Sequence, residues 1–173
     1  MSTKTVLSLF FVGTIVSTFP PAGRAQPVPS ADKLEGRAKN NQYAVKIVCG
    51  KAPGTEAAGV LAAGQYYTAV NVHNPSRTSV GFIKKVALAN AWQKPGMVSK
   101  FVEGKLGPDE AMEVDCRELA RMGNQTPGAL FGGYLVFETK EGTELDVVAV
   151  YTAASGPGVS AFHTERVAKR QVQ

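Results

Sequence analysis

Beyond residue 42, apolar and polar residues alternate with a period of two, the spacing of strands that bury one face. In Tyr43–Gly50, Tyr43, Val45, Ile47 and Cys49 share one face, while Ala44 and Lys46 share the other. Tyr66–Pro75 sets Thr68, Val70 and Val72 against Ala69, Asn71 and His73. In Val80–Ala89 an apolar face of Val80, Phe82, Val86 and Leu88 is interrupted by Lys84. Ala111–Cys116 turns Met112, Val114 and Cys116 inward and Glu113 and Asp115 outward. Tyr134–Lys140 and Glu144–Ala153 are apolar on both faces near their middles, which predicts two interior strands. Val159–Val167 is the last strand, with the edge of the sheet as its expected place.

The punctuation between these runs is glycine, proline and asparagine. Asn74-Pro75-Ser76 ends the second run, because proline cannot donate to a ladder, and the short link to Ser79 predicts a hairpin. Glu141-Gly142-Thr143 predicts a tight turn that folds Tyr134–Lys140 and Glu144–Ala153 into a second hairpin. Residues 51–64 read as a small, glycine-rich loop. Residues 90–109 read as a long connection with a short edge strand around Val98–Val102. One helical turn is expected over Glu118–Met122, closed by Gly123 and Asn124. The pattern predicts an all-β fold: an antiparallel, Ig-like β-sandwich of about seven strands, with a small closed barrel as the alternative. Strands and helices do not alternate, which disfavours Rossmann and TIM-barrel enzymes.

The first 42 residues differ in kind. Lys4 precedes an apolar run from Val6 to Phe19, then Pro20, Pro21 and small residues at Gly23 and Ala25. This is the layout of a secretory signal peptide cleaved after Ala25, and at about 14 residues the run is short for a membrane span. Residues 26–42 are polar without apolar periodicity and read as a flexible lead-in. The domain proper is expected over residues 43–168, followed by a polar tail at 169–173. Periplasm or cell exterior is the expected location.

Charge then excludes one class of partner. The chain carries a formal net charge of +5. Lys4 and Arg24 lie in the leader, and Arg166, Lys169 and Arg170 lie near the C-terminus. The interior is therefore balanced and has no basic footprint for nucleic acid. The only cysteines are Cys49 and Cys116. In an exported protein an even count points to a disulfide, with two buried thiols as the alternative.

Candidate chemistry is sparse. His73 and His163 are the only histidines, with Asp115 and Asp146 as possible oxygen partners, and they lack local metal-ligand spacing. No G-x-S-x-G elbow and no phosphate-binding loop occur. Asp146 is the one acid set into an apolar run, where the backbone, or Lys46, Lys84 or Lys85 on a neighbouring strand, would satisfy it. Tyr66, Tyr67 and Trp92 lie in or beside loops, where they could form a contact surface for a protein or a glycan or simply pack as core and corner residues. No cofactor is implied.

In combination, YAVKIVCG, VNVHNPS, PDEAMEVDC and ELDVVAVYTA, spread over Tyr43–Ala153, resemble a group of small exported bacterial proteins of unassigned function. The resemblance implies secretion, a β-sandwich and a paired cysteine, and it carries over no catalytic residues. Three functions follow as expectations. The first is a non-enzymatic exported module that binds a protein or glycan through its surface, with Tyr66, Tyr67, His73, Trp92 and Asp146 as candidate contacts. The second is a metal- or small-ligand-binding domain, or a hydrolase, built on His73 and Asp146. The third is a strand-pairing subunit that uses the edge at Val159–Val167.

Overall fold

The computed structural model describes residues 39–54, 61–90 and 94–173. The expected leader and most of the lead-in lie outside the described residues. Ten strands and one short helix follow in order: β1 (Asn40–Ala52), β2 (Gly64–His73), β3 (Val80–Ala89), β4 (Pro95–Val98), β5 (Val102–Leu106), β6 (Ala111–Val114), α1 (Cys116–Met122), β7 (Phe131–Lys140), β8 (Asp146–Ala154), β9 (Ala161–Arg166) and β10 (Arg170–Val172). The protein is all-β and every strand pair is antiparallel. The main path runs β4-β3-β7-β1-β2-β8-β9, with β5 beside β3, β6 beside β2 and β10 beside β1.

The network has two halves, and β1 joins them. Along Asn40–Cys49 it pairs with β7; at Gly50–Ala52 it pairs with Gly64–Tyr66 of β2. Extending the second register would set Val48 opposite Thr68, but there the two backbones have parted. The Thr68 side chain fills the gap: its hydroxyl donates to the Val48 carbonyl at 2.9 Å and accepts from the Val48 amide at 3.0 Å. The Thr68 amide donates to Cys116 Sγ at 3.1 Å. Gly50 adopts φ +99°, and a Cβ there would sit 2.0 Å from the Ala129 carbonyl oxygen, so only glycine can make this crossing. Beside it, Cys49 is joined to Cys116 by a disulfide with a Cα–Cα distance of 5.7 Å. Both halves feed one apolar core: Val45, Ile47, Val86, Leu135 and Phe137 from the first, and Val70, Val72, Val114 and Val147 from the second.

The crossing also explains why neither expected hairpin forms. The turn after β7 exists, with the Thr143 amide donating to the Lys140 carbonyl at 3.1 Å and Gly142 at φ +79°. It does not return the chain alongside β7. Residues 141–145 pass over the end of β1, where the buried Asn41 side chain donates to the Thr143 carbonyl at 2.7 Å. Thr139 Oγ1 donates to the same carbonyl, and the Leu145 amide donates to the Tyr43 hydroxyl at 2.9 Å. The chain thus arrives in the other half, where β8 pairs with β2 and β9. The connection from β2 to β3 changes halves likewise. It is organised by Asn74, fully buried, whose side-chain amide donates to the carbonyls of Thr78, Leu106 and Gly107 and whose oxygen accepts from Ser76. β8 therefore lies next to the edge strand β9, not at the centre of the path as its apolar sequence suggests.

Other departures are local. The long connection holds two short strands, β4 and β5, in place of one around Val98–Val102. Strand structure begins at Asn40, inside the expected lead-in, and the expected polar tail supplies β10, which pairs with Asn40–Gln42. The helical turn is α1, capped by the Asp115 carboxylate, which accepts from the Arg117 and Glu118 amides. This helix settles the charge on the core face of β3. Lys84 is buried, and its ammonium lies 3.6 Å from Glu118.

Two stability measurements check this frame. Thr68→Val keeps the volume but strands both polar groups of Val48, so unfolding should become easier by about 2–4 kcal/mol, whereas Thr68→Ser should recover most of it. Replacing both cysteines by serine should cost about 4 kcal/mol for a closed loop of 67 residues, read as a fall of about 10 °C or more in Tm.

Candidate functional site

Where β1 and β2 part, they leave a concavity. It is a groove of about 910 Å³ with the Cys49–Cys116 disulfide in its wall. Gln65 and Tyr67 of β2 form one side, α1 and residues 125–129 form the other, and Phe131 at the start of β7 contributes apolar surface. Tyr67 is half exposed, at 51%. Its ring also borders a smaller cavity of about 250 Å³ that reaches Val150 and Thr152 of β8. The groove is lined by charge of both signs: Glu113, Asp115 and Glu118 against Arg117 and Arg121. Part of that charge is internally satisfied, since Arg121 Nε donates to Glu118 at 3.1 Å and Asp115 is committed to the helix cap. Such a surface offers an aromatic plane, an apolar floor and hydrogen-bonding groups, and it has no nucleophile paired with a base.

A second cluster sits at one end of β2. The β2–β8 register sets His73 opposite Asp146. His73 Nδ1 lies 3.5 Å from Asp146 Oδ2, and Nε2 lies 3.0 Å from Asp109 Oδ1. Asp109 reaches it from the turn between β5 and β6, where its own φ is +57°. A carboxylate only accepts, so Nε2 donates to Asp109, and the second carboxylate beside Nδ1 also favours the charged ring. The His73 pKa is accordingly raised above 6.5, mainly by the hydrogen bond to Asp109, against partial desolvation and with help from Asp146.

Asp146 is satisfied differently from the sequence-based expectation. It is paired with Arg166 of β9 and with His73, and with none of the three lysines. His163 lies opposite Tyr151, with the two rings stacked at 6.0 Å between centroids. Five residues along β8 separate the partners of His73 and His163, about 17 Å at the rise of a strand. The two histidines therefore cannot share one ligand. Among the described residues no group of three or more His, Cys, Asp or Glu side chains is placed to hold a metal ion.

The aromatic candidates divide. Tyr67 lines the groove. Tyr66 is half-buried and its hydroxyl donates to the Ala62 carbonyl at 2.9 Å, so it braces the start of β2. Trp92 lies outside the described residues. The residue performing the corner role is Tyr43, which the alternation marks only as core. Arg117, Arg121 and Gln125 escaped the sequence reading because they are ordinary polar residues there; only the fork between β1 and β2 gives them a shared surface.

The histidine cluster makes a signed prediction. A raised folded-state pKa means stabilisation that is present below about pH 6.5 and is lost as pH rises through the folded-state value. Wild type should lose stability between about pH 5.5 and pH 8.5, and His73→Gln should lose less. Denaturant unfolding at both pH values measures the difference.

No family model matches the chain, and no curated protein matches it. A solved structure titled "Crystal Structure of Thermotoga maritima 1070" is similar at 12% sequence identity, covering 77% of this chain and 94% of that one, with a TM-score of 0.44. That likeness is too loose to carry an argument about fold or function.

Proposed function

We propose that this protein is an exported, non-enzymatic binding module, and that the groove beside the disulfide receives a protein partner. The observation that carries the reading is Tyr67: a large aromatic side chain held half exposed between two adjoining concavities, with arginines close by. Tyrosine and arginine are the residues that most often dominate binding energy when a partner covers them. Charges of both signs on the rim suit a protein surface better than a neutral sugar; a glycan is the other ligand class. The leader-like residues 1–25 and the disulfide fit an oxidising compartment, the periplasm or the cell exterior. In this proposal the two halves, which share one core, are the facing layers of a sandwich of Ig-like kind. Among the described residues no helix is long and apolar enough to cross a membrane.

The test compares three immobilised baits: wild type, Tyr67→Ala and a surface control, Lys100→Ala. Envelope extract or culture medium is passed over each, and a glycan array is probed in parallel. The expected result is a protein retained by wild type and by the control, with Tyr67→Ala weakening it by about tenfold or more. Retention unaffected by Tyr67→Ala removes the groove as the site. Binding to the array alone replaces the protein partner by a glycan.

A further inference from the structure

The main path ends on β9, and among the described residues no strand covers its outer edge. At six residues it is longer than the other strands that pair on one side only: β4, β5, β6 and β10 have four, five, four and three. Each residue of β9 is exposed, with Phe162 at 67%. The direction of its backbone groups follows from one bond. The Val167 amide donates to the Val147 carbonyl in the same register that pairs Arg166 with Val148. In an antiparallel ladder, residues that exchange hydrogen bonds alternate with residues that do not. Glu165, His163 and Ala161 therefore direct their amides and carbonyls toward β8. Phe162, Thr164 and Arg166 direct theirs away from it, toward open space.

We infer that this edge pairs antiparallel with β9 of a second copy of the chain, about a two-fold axis at Thr164. The register is selected by the side chains. Centred on Thr164, Phe162 faces Arg166 of the second copy, His163 faces its Glu165, and both pairings occur twice by symmetry. The His–Glu pairs set an imidazole against a carboxylate, and the Arg–Phe pairs lay Arg166, which also holds Asp146, against an exposed ring. All three outward-facing residues find partners, for roughly six backbone hydrogen bonds. A shift of the centre to Glu165 would oppose two carboxylates directly. A shift to His163 would oppose two imidazoles and leave Arg166 beyond the ladder. Slips that change the centre by half a residue would set outward amides against inward ones. Arg166 and Glu165, which discourage an unrelated strand from adding here, meet an aromatic ring and an imidazole in this register and not a like charge. The contact is small, so the dimer forms reversibly in the micromolar range.

Sedimentation velocity of the protein over a wide concentration range should show a monomer–dimer equilibrium. Thr164→Pro should shift it at least tenfold toward monomer, because it deletes an outward amide that β8 does not use. Its melting temperature at low concentration serves as the folding control. If that variant does not fold, cross-linking decides. Thr164→Cys places two thiols across the axis at about 5.5 Å between Cα atoms, within disulfide range. Under mild oxidation it should form a covalent dimer at least ten times faster than His163→Cys, whose counterpart is two residues out of register. A wild-type monomer at every concentration, or equal cross-linking rates for the two cysteines, overturns the proposal. Retention of a partner on the Tyr67 groove is read separately, so failure of either result leaves the other standing.

Discussion

The structure depends on how one strand serves two halves. β1 can pair with β7 along most of its length and with β2 only at its end, because the backbones part at Val48. A parting in mid-sheet leaves an amide and a carbonyl without ladder partners, and burial makes that costly. A single threonine hydroxyl, donor and acceptor at once, meets both needs, and the amide of the same residue turns to a disulfide sulfur. Gly50 then supplies a backbone conformation that a side chain would block. Four neighbouring features, Val48, Thr68, Gly50 and the Cys49–Cys116 bond, form one joint. Both halves reach the common core through it.

The candidate groove is a by-product of the same joint. Strands that diverge enclose space between them, and α1 is held over that space because its first residue is one of the bridged cysteines. The groove is thus made of backbone geometry and a covalent bond, and its polar lining comes from residues on four separate segments. Tyr67 is the large aromatic side chain exposed on it. The cluster at His73 is of another kind: the ring lies between two carboxylates, Asp109 and Asp146, and ties the end of β2 to the β5–β6 turn and to β8.

Much of the strand content was legible in the alternation. The burial of Tyr43, Val45, Ile47, Thr68, Val70 and Val72 matches the faces read from sequence, because period-two patterning is a local signal of which side is dry. The disulfide was legible from the even cysteine count and from both cysteines ending strand-like runs on the apolar side. Pairing partners were not. Glu141-Gly142-Thr143 has the chemistry of a hairpin turn and does form a turn, but the destination of the chain is set by Asn41, Thr139 and Tyr43, about a hundred residues away from Thr143 and Leu145 in two of the three contacts. Lys84 on a core face looked like an interruption, and its partner Glu118 lies on a helix that the pattern located but could not orient. The groove was invisible for the same reason: it exists only where two strands with individually regular patterns fail to pair.

The pairing of β10 with the beginning of β1 has a mechanical meaning. Asn40 lies opposite Val172, so the first and last of the described strands meet at one pole, side by side and antiparallel. A pull applied to both ends loads the bonds between these strands one after another, as in a zipper, because each bond must open before the next bears tension. Three short steps would free β10 while the disulfide still shackles β1 to α1. A load on these two strands thus meets the three-residue β10 pairing before it reaches the joint that the disulfide closes.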